Sequence, residues 1–158
     1  MKLSEKQSIQ KDNHLPGTPG TTTCLGVDPG EKRTGLAVGD VASGIASPIG
    51  VIVTRDAAER LRRILETAAE YEAHAIVIGL PLNMDGTLGP AAERARDLAD
   101  QLRHATNLPV HLFDERLTSY AADQQMARTG LTHQQKQNRR DALAAATILR
   151  DFFSTGRL

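Results

Sequence analysis

The chain has a single cysteine, Cys24, no tryptophan, and only 3% aromatic residues among 158. A lone cysteine excludes an intramolecular disulfide and a cysteine-built zinc site, and fits a reducing compartment. The scarcity of aromatics argues against a base-stacking platform for single strands. No apolar run approaches the ~20 residues of a transmembrane helix. The opening Met1–Lys6 is polar where a secretory signal would be apolar. The expectation is a cytoplasmic protein with no membrane partner. Net charge is also missing, because 19 Lys and Arg offset 19 Asp and Glu. Nucleic-acid binding would have to come from a local basic face. What is present, 40% hydrophobic and 24% charged residues, suffices for one well-buried globular domain.

Residues 1–22 are polar and end in Pro16-Gly17-Thr18-Pro19-Gly20-Thr21-Thr22. Lacking any hydrophobic period, they read as a flexible arm outside a domain of residues 23–158. Strands are expected at Cys24–Asp28, Thr34–Gly39, Ser47–Val53, Ala75–Gly79 and Val110–Phe113, where apolar runs sit between turn residues. Helical spacing joins Leu61, Ile64, Leu65, Ala68 and Ala69 behind a capping Asp56. It also joins Ala91, Ala95, Leu98 and Leu102 behind Pro90. A further helix is expected over Tyr120–Thr129, closed by Gly130, and a last one from about Asn138 to Phe153. The later β-α-β units require parallel strands joined by right-handed crossovers, while the first three strands can meander. The fold class is α/β, a five-stranded mixed sheet flanked by helices.

Parallel strands align their carboxyl ends along one sheet edge, where open α/β sheets bind ligands. Asp28 closes the first strand, the loop Leu80–Gly89 follows the fourth, and Asp114-Glu115-Arg116 follows the fifth. Asp141 heads a helical face continued by Ala144, Ala145, Ile148 and Phe152. Taken singly, each acid has an ordinary explanation. Asp28 can cap its own turn, Asp114-Glu115 can be a solvated turn before a helix capped by Thr118, and Asp141 can complement a helix dipole near its start. Gathered in one crevice, they would repel and resist desolvation. A hard divalent ion, Mg²⁺ or Mn²⁺, relieves both problems and suits hydrolysis of a phosphodiester. Lys32, Arg33, Arg116, Lys136, Arg139 and Arg140 place a cation near each acid. Exposed ion pairing explains any one of them equally well. Arg94, Arg96 and Arg103 read as a solvated helix face. His14, His74, His104, His111 and His133 lack metal-ligand spacing and read as structural or exposed. Cys24 reads as a buried strand residue, and Tyr71, Tyr120, Met126, Phe152 and Phe153 as core.

Four segments carry a family resemblance: Asp28-Pro29-Gly30-Glu31-Lys32-Arg33-Thr34-Gly35-Leu36-Ala37-Val38, Ile78-Gly79-Leu80-Pro81-Leu82-Asn83-Met84-Asp85-Gly86-Thr87, Asp114-Glu115-Arg116-Leu117-Thr118-Ser119 and Asp141-Ala142-Leu143-Ala144-Ala145-Ala146. In this order and at these spacings the chain resembles the YqgF/RuvX family over about residues 23–153. The resemblance implies a ribonuclease H-like fold in its resolvase branch. It also implies an endonuclease maturing the 5′ end of pre-16S ribosomal RNA, with an older assignment as a Holliday-junction resolvase. Carried over by motif, the catalytic and metal-binding acids are Asp28, Glu115 and Asp141, with Asp114 as the alternative to Glu115. The chain departs from the pattern in Arg139-Arg140, where a more apolar approach to Asp141 is expected, and in the extra N-terminal arm.

The leading expectation is thus a Mg²⁺- or Mn²⁺-dependent endonuclease on structured RNA, with pre-16S rRNA or ribosomal particles as partners, as a monomer or homodimer. Lys32, Arg33, Arg116, Arg139 and Arg140 would hold the backbone and the Asn83 loop would form a substrate wall. Three alternatives stand beside it. A four-way DNA junction would call for a two-fold dimer. Asp-x-Gly followed by a basic residue also resembles the phosphate loop of sugar kinases and actin-like ATPases, which need two such domains. A non-catalytic RNA-binding regulator would tolerate loss of any acid.

Overall fold

The computed structural model describes residues 22–117 and 130–156. Residues 1–21 of the N-terminal arm, the helix expected over Tyr120–Thr129 and its Thr118 cap lie outside the described residues, as do Tyr120, Met126 and His14, whereas Thr22 accepts from the Val41 amide at 3.0 Å. Five strands form one sheet: β1 (Thr23–Pro29), β2 (Arg33–Asp40), β3 (Ile45–Val53), β4 (Ala75–Leu80) and β5 (Val110–Asp114). Their spatial order is β3-β2-β1-β4-β5. The first three meander antiparallel, whereas β1, β4 and β5 run parallel. Among the described residues the helices are α1 (Ala57–Glu70), α2 (Pro90–Ala105) and α3 (His133–Ser154). None is long and apolar enough to cross a membrane.

The central strands are covered on both faces, which is why Ala75-Ile76-Val77-Ile78 is a continuous apolar run. Strand parity divides the core into two. Leu25, Val27, Ile76 and Ile78 meet Ile64 and Ala68 of α1 and Ala95, Leu98, Ala99 and Leu102 of α2. Cys24, Ala37, Val77 and Phe113 meet Ala145, Ile148, Leu149 and Phe152 of α3. Burial pushes the Cys24 thiol up to about 11, as befits a core side chain. His111 tilts against Phe152 with ring centroids 5.3 Å apart. Its pKa is lowered by burial and by the charge of Arg103, in keeping with a structural role.

Asp56 caps α1, its side chain accepting from the amides of Ala58 and Glu59. Two helical stripes shift slightly from expectation. Ala69 is exposed, and the buried face of α2 starts at Ala92 rather than Ala91. Tyr71 is half-buried at the end of α1, outside the central cluster.

The larger correction concerns α3. It begins at His133, five residues before the expected Asn138, behind a reciprocal cap between Thr132 and Gln135. Its first turns, His133-Gln134-Gln135-Lys136-Gln137, lack apolar residues and so carry no hydrophobic period. Asp141 therefore stands two turns inside the helix, beyond the first turn where a dipole effect acts. That removes the dipole explanation of this acid.

The third helix can approach closely because β2 has a glycine where they meet. A Cβ at Gly35 would collide with the carbonyl oxygen of Asp141. Neither strand nor helix can retreat without breaking its own ladder. Gly35→Ala is expected to cost about 3 kcal/mol, the upper end of overpacking penalties. Urea unfolding measures this, and an unchanged midpoint would show that α3 is not seated so tightly.

Candidate active site

Asp28 sits near the end of β1, opposite Gly35 of β2. Alternation along β1 puts it on the α3 face, with Cys24 and Gly26. The same alternation along β4 and β5 brings Gly79 and Glu115 to that face, after Val77 and Phe113. Glu115 opens a 3₁₀ turn, Glu115–Leu117, directly beyond β5. Its carboxylate occupies the space that a side chain at Gly79 would fill, since a Cβ there would collide with Glu115 Oε1 and lie 2.6 Å from Ile148 Cδ1. The glycine is the cradle of the acid.

Asp28 and Glu115 are hydrogen-bonded to each other through their carboxyl groups. Two carboxylates can do this only if one carries a proton. Burial, the hydrogen bond and the neighbouring negative charges push Glu115 up to about 9. Asp28 is also raised, by burial first and by the charge of Asp141, with the hydrogen bond from Glu115 opposing. The proton belongs on Glu115.

Asp141 is close enough to act on Asp28 electrostatically but is engaged elsewhere. Arg33 Nε donates to Asp141 Oδ2 at 2.6 Å, and Arg33 Nη2 donates to Asn138 Oδ1. Among the described residues no three Asp, Glu, His or Cys side chains form a ready-made metal-holding group. The donor chemistry nevertheless fits a hard cation. Two half-buried carboxyls face each other, and a third lies close enough to act on one of them.

Asp114 is committed differently. Arg116 grips it with Nε at 3.1 Å from both oxygens and Nη2 at 2.7 Å from Oδ2. These bonds hold the Asp114 carboxyl below its usual range. Arg116 Nη1 also reaches the Met84 carbonyl at 3.4 Å, tying the end of β5 to the loop after β4. Within that loop Asn83 Nδ2 donates to Thr87 Oγ1 at 3.0 Å, and Thr87 Oγ1 donates to Asp85 Oδ1 at 2.6 Å. The side chain of Asn83 thus braces the loop. Lys32 is exposed in the β1–β2 turn, and Arg139 and Arg140 are exposed on α3. The residues that sequence reasoning passed over are Gly35, Gly79 and Asn138. Strand parity flags the second, but nothing local marks Asn138 as a partner of Arg33.

A family model described as RuvX, Holliday junction resolvase, matches residues 22–155. A protein of Anaeromyxobacter sp. (strain K) named "Putative pre-16S rRNA nuclease" is 47% identical over 125 residues, 79% of this chain and 91% of its own length. The chain belongs to the RuvX family. A relative of the same name from Roseiflexus sp. (strain RS-1) is 37% identical over 143 residues, 90% of this chain and all of its own. Among solved structures, Thermus thermophilus RuvC in complex with a Holliday junction substrate superimposes with a TM-score of 0.53 at 19% identity, covering 85% of this chain and 95% of that one. The fowlpox virus Holliday junction resolvase gives 0.52 at 13% identity, covering 85% and 99%. These likenesses establish the ribonuclease H-like fold of this RuvX chain, as its motifs led one to expect.

Proposed function

We propose that this RuvX protein is a metal-dependent endonuclease that hydrolyses phosphodiester bonds of structured RNA, maturing the 5′ end of pre-16S rRNA in the cytoplasm. The observation that carries this reading is the half-buried carboxyl pair Asp28–Glu115, seated beside Gly79 at the carboxyl edge of the parallel strands. A half-buried carboxyl pair adds nothing to stability that two apolar residues would not supply, and it is the donor set a hard cation requires. Asp28 and Glu115 would hold the ion, with Asp141 completing the set. Mg²⁺ or Mn²⁺ bound there neutralises the acids and supplies the Lewis acidity that phosphodiester hydrolysis needs.

The chain's own groups do the rest. Loss of the shared proton turns the pair into acceptors only. Lys32, Arg33, Arg139 and Arg140 carry positive charge around the acids and would position the phosphate backbone. Arg116 acts on substrate through the loop it braces, whose Asn83 side would wall one flank.

A DNA junction is favoured by the family's description and by the junction-bound RuvC relative in fold. The relatives of higher identity carry the pre-16S name, which gives RNA the stronger support. Purified protein should be assayed on 5′-extended pre-16S RNA, bare and in ribosomal particles, and on a four-way DNA junction, with Mg²⁺, Mn²⁺ or a chelator. Metal-dependent RNA cleavage with the junction spared is the expected result. Junction cleavage by a dimer would reverse the assignment, and binding without cleavage would indicate a regulator. Heat released on ATP titration would revive the ATPase reading.

A further inference from the structure

Three acids come to one edge of the sheet, and they are engaged in two different ways. Asp28 and Glu115 face each other. Asp141 is held by Arg33, with the two side chains only 15% and 27% exposed. Arg33 opens β2, while Asn138 and Asp141 lie one turn apart on α3, so the guanidinium bridges strand to helix through two of its nitrogens. The grip is long-range and specific, spanning 108 residues of chain to Asp141. It also accounts for the lack of a three-acid cage among the described residues, because the third carboxylate faces Arg33.

We propose that Arg33 is a built-in competitor of the metal, a resident cation on Asp141 that nucleic-acid phosphate draws away. The inference rests on the metal-dependent reading above. A guanidinium and a divalent ion cannot both use Asp141 Oδ2 at full strength. A backbone phosphodiester offers a guanidinium two oxygens for a two-pronged bond, where it now holds a single carboxylate oxygen. Backbone phosphate arriving at Arg33 therefore frees Asp141, and the third acid becomes available when substrate is present. Arg33 is a positioning residue in this scheme, acting on the metal through Asp141.

Four proteins decide it: wild type, Arg33→Gln, Asp141→Asn and the double variant. In calorimetric titration with Mn²⁺ alone, Arg33→Gln is expected to bind about tenfold tighter than wild type. The same substitution should have no effect in the Asp141→Asn background. With a fluorescein-labelled RNA hairpin in chelator, Asp141→Asn should tighten binding several-fold when Arg33 is present and leave it unchanged in Arg33→Gln. Should Arg33→Gln fail to fold, Asn138→Ala loosens the same guanidinium and is expected to raise Mn²⁺ affinity as well. Equal or weaker Mn²⁺ binding by folded Arg33→Gln, or by Asn138→Ala, overturns the competitor role while leaving the metal site intact. Absence of Mn²⁺ binding from all these proteins overturns the metal reading, and this inference with it.

Discussion

Asp28→Asn is expected to lower metal-dependent cleavage about a thousandfold while leaving the protein folded. The amide is isosteric and still accepts the hydrogen bond from Glu115, so circular dichroism should be unchanged. What it removes is the charge that would hold the ion, on a strand paired along both sides. Asp28 pairs with Gly35 in the antiparallel ladder, and its neighbour Val27 pairs with Ile78 on the parallel side. Loss of about 4 kcal/mol of electrostatic stabilisation at a metal-assisted reaction corresponds to that factor. Asp114→Asn is the control. Its carboxylate is spent on Arg116, so its loss should cost less than about tenfold. Rates of pre-16S RNA cleavage at saturating Mn²⁺ measure both. Full activity in Asp28→Asn would remove the catalytic assignment, and a larger loss at position 114 than at 28 would move the site to Asp114.

Much of this arrangement can be read from the chain, because burial on two faces leaves a strong trace. The run Ala75–Ile78 announces a central parallel strand, and the Asp56 cap marks the start of α1. Edge strands leave less. β3 begins at Ile45, which is 64% exposed, and with Ser47 and Pro48 exposed too its opening shows no buried alternation to mark the start. The opening turns of α3 are invisible for a related reason, since a helix segment that projects beyond the core has no apolar face to advertise. Only its cap chemistry, Thr132 with Gln135, betrays it.

The site divides in the same way. That Asp28 and Glu115 share a face follows from alternation along β1 and β5, and sequence reasoning brought them together through the carboxyl-edge rule. The partner of Asp141 does not follow. Arg139 and Arg140 precede it in sequence, yet the guanidinium that holds it comes from Arg33 across the sheet. A helical neighbour at one residue's separation points elsewhere around the helix, whereas the strand beneath lies within reach. Local proximity of charge in sequence was therefore a poor guide to pairing here, and Gly35, by letting α3 approach, was the better one.

Glu115→Gln is expected to make the metal-free protein more stable in mild alkali than the wild type and to flatten its pH dependence. In the folded chain Glu115 titrates near 9, well above the ordinary range of a glutamate in the unfolded chain. Between about pH 4.5 and 9 the native state thus binds a proton that the unfolded state has released, so wild-type stability falls as pH rises. It is fully present below the unfolded pKa and lost through the folded one. Coupling with Asp28, itself raised, spreads the loss across the window. A glutamine amide donates to Asp28 at every pH, as the protonated acid does, so the variant should gain a few kcal/mol over wild type near pH 9. Urea midpoints across that range, in chelator, measure the difference. Mn²⁺ should restore the wild type at high pH, since cation and proton compete for the same oxygens, and should do far less for the variant. Parallel pH profiles for the two proteins would mean that the carboxyl pair does not share its proton, and the electrostatic basis of the site would fall.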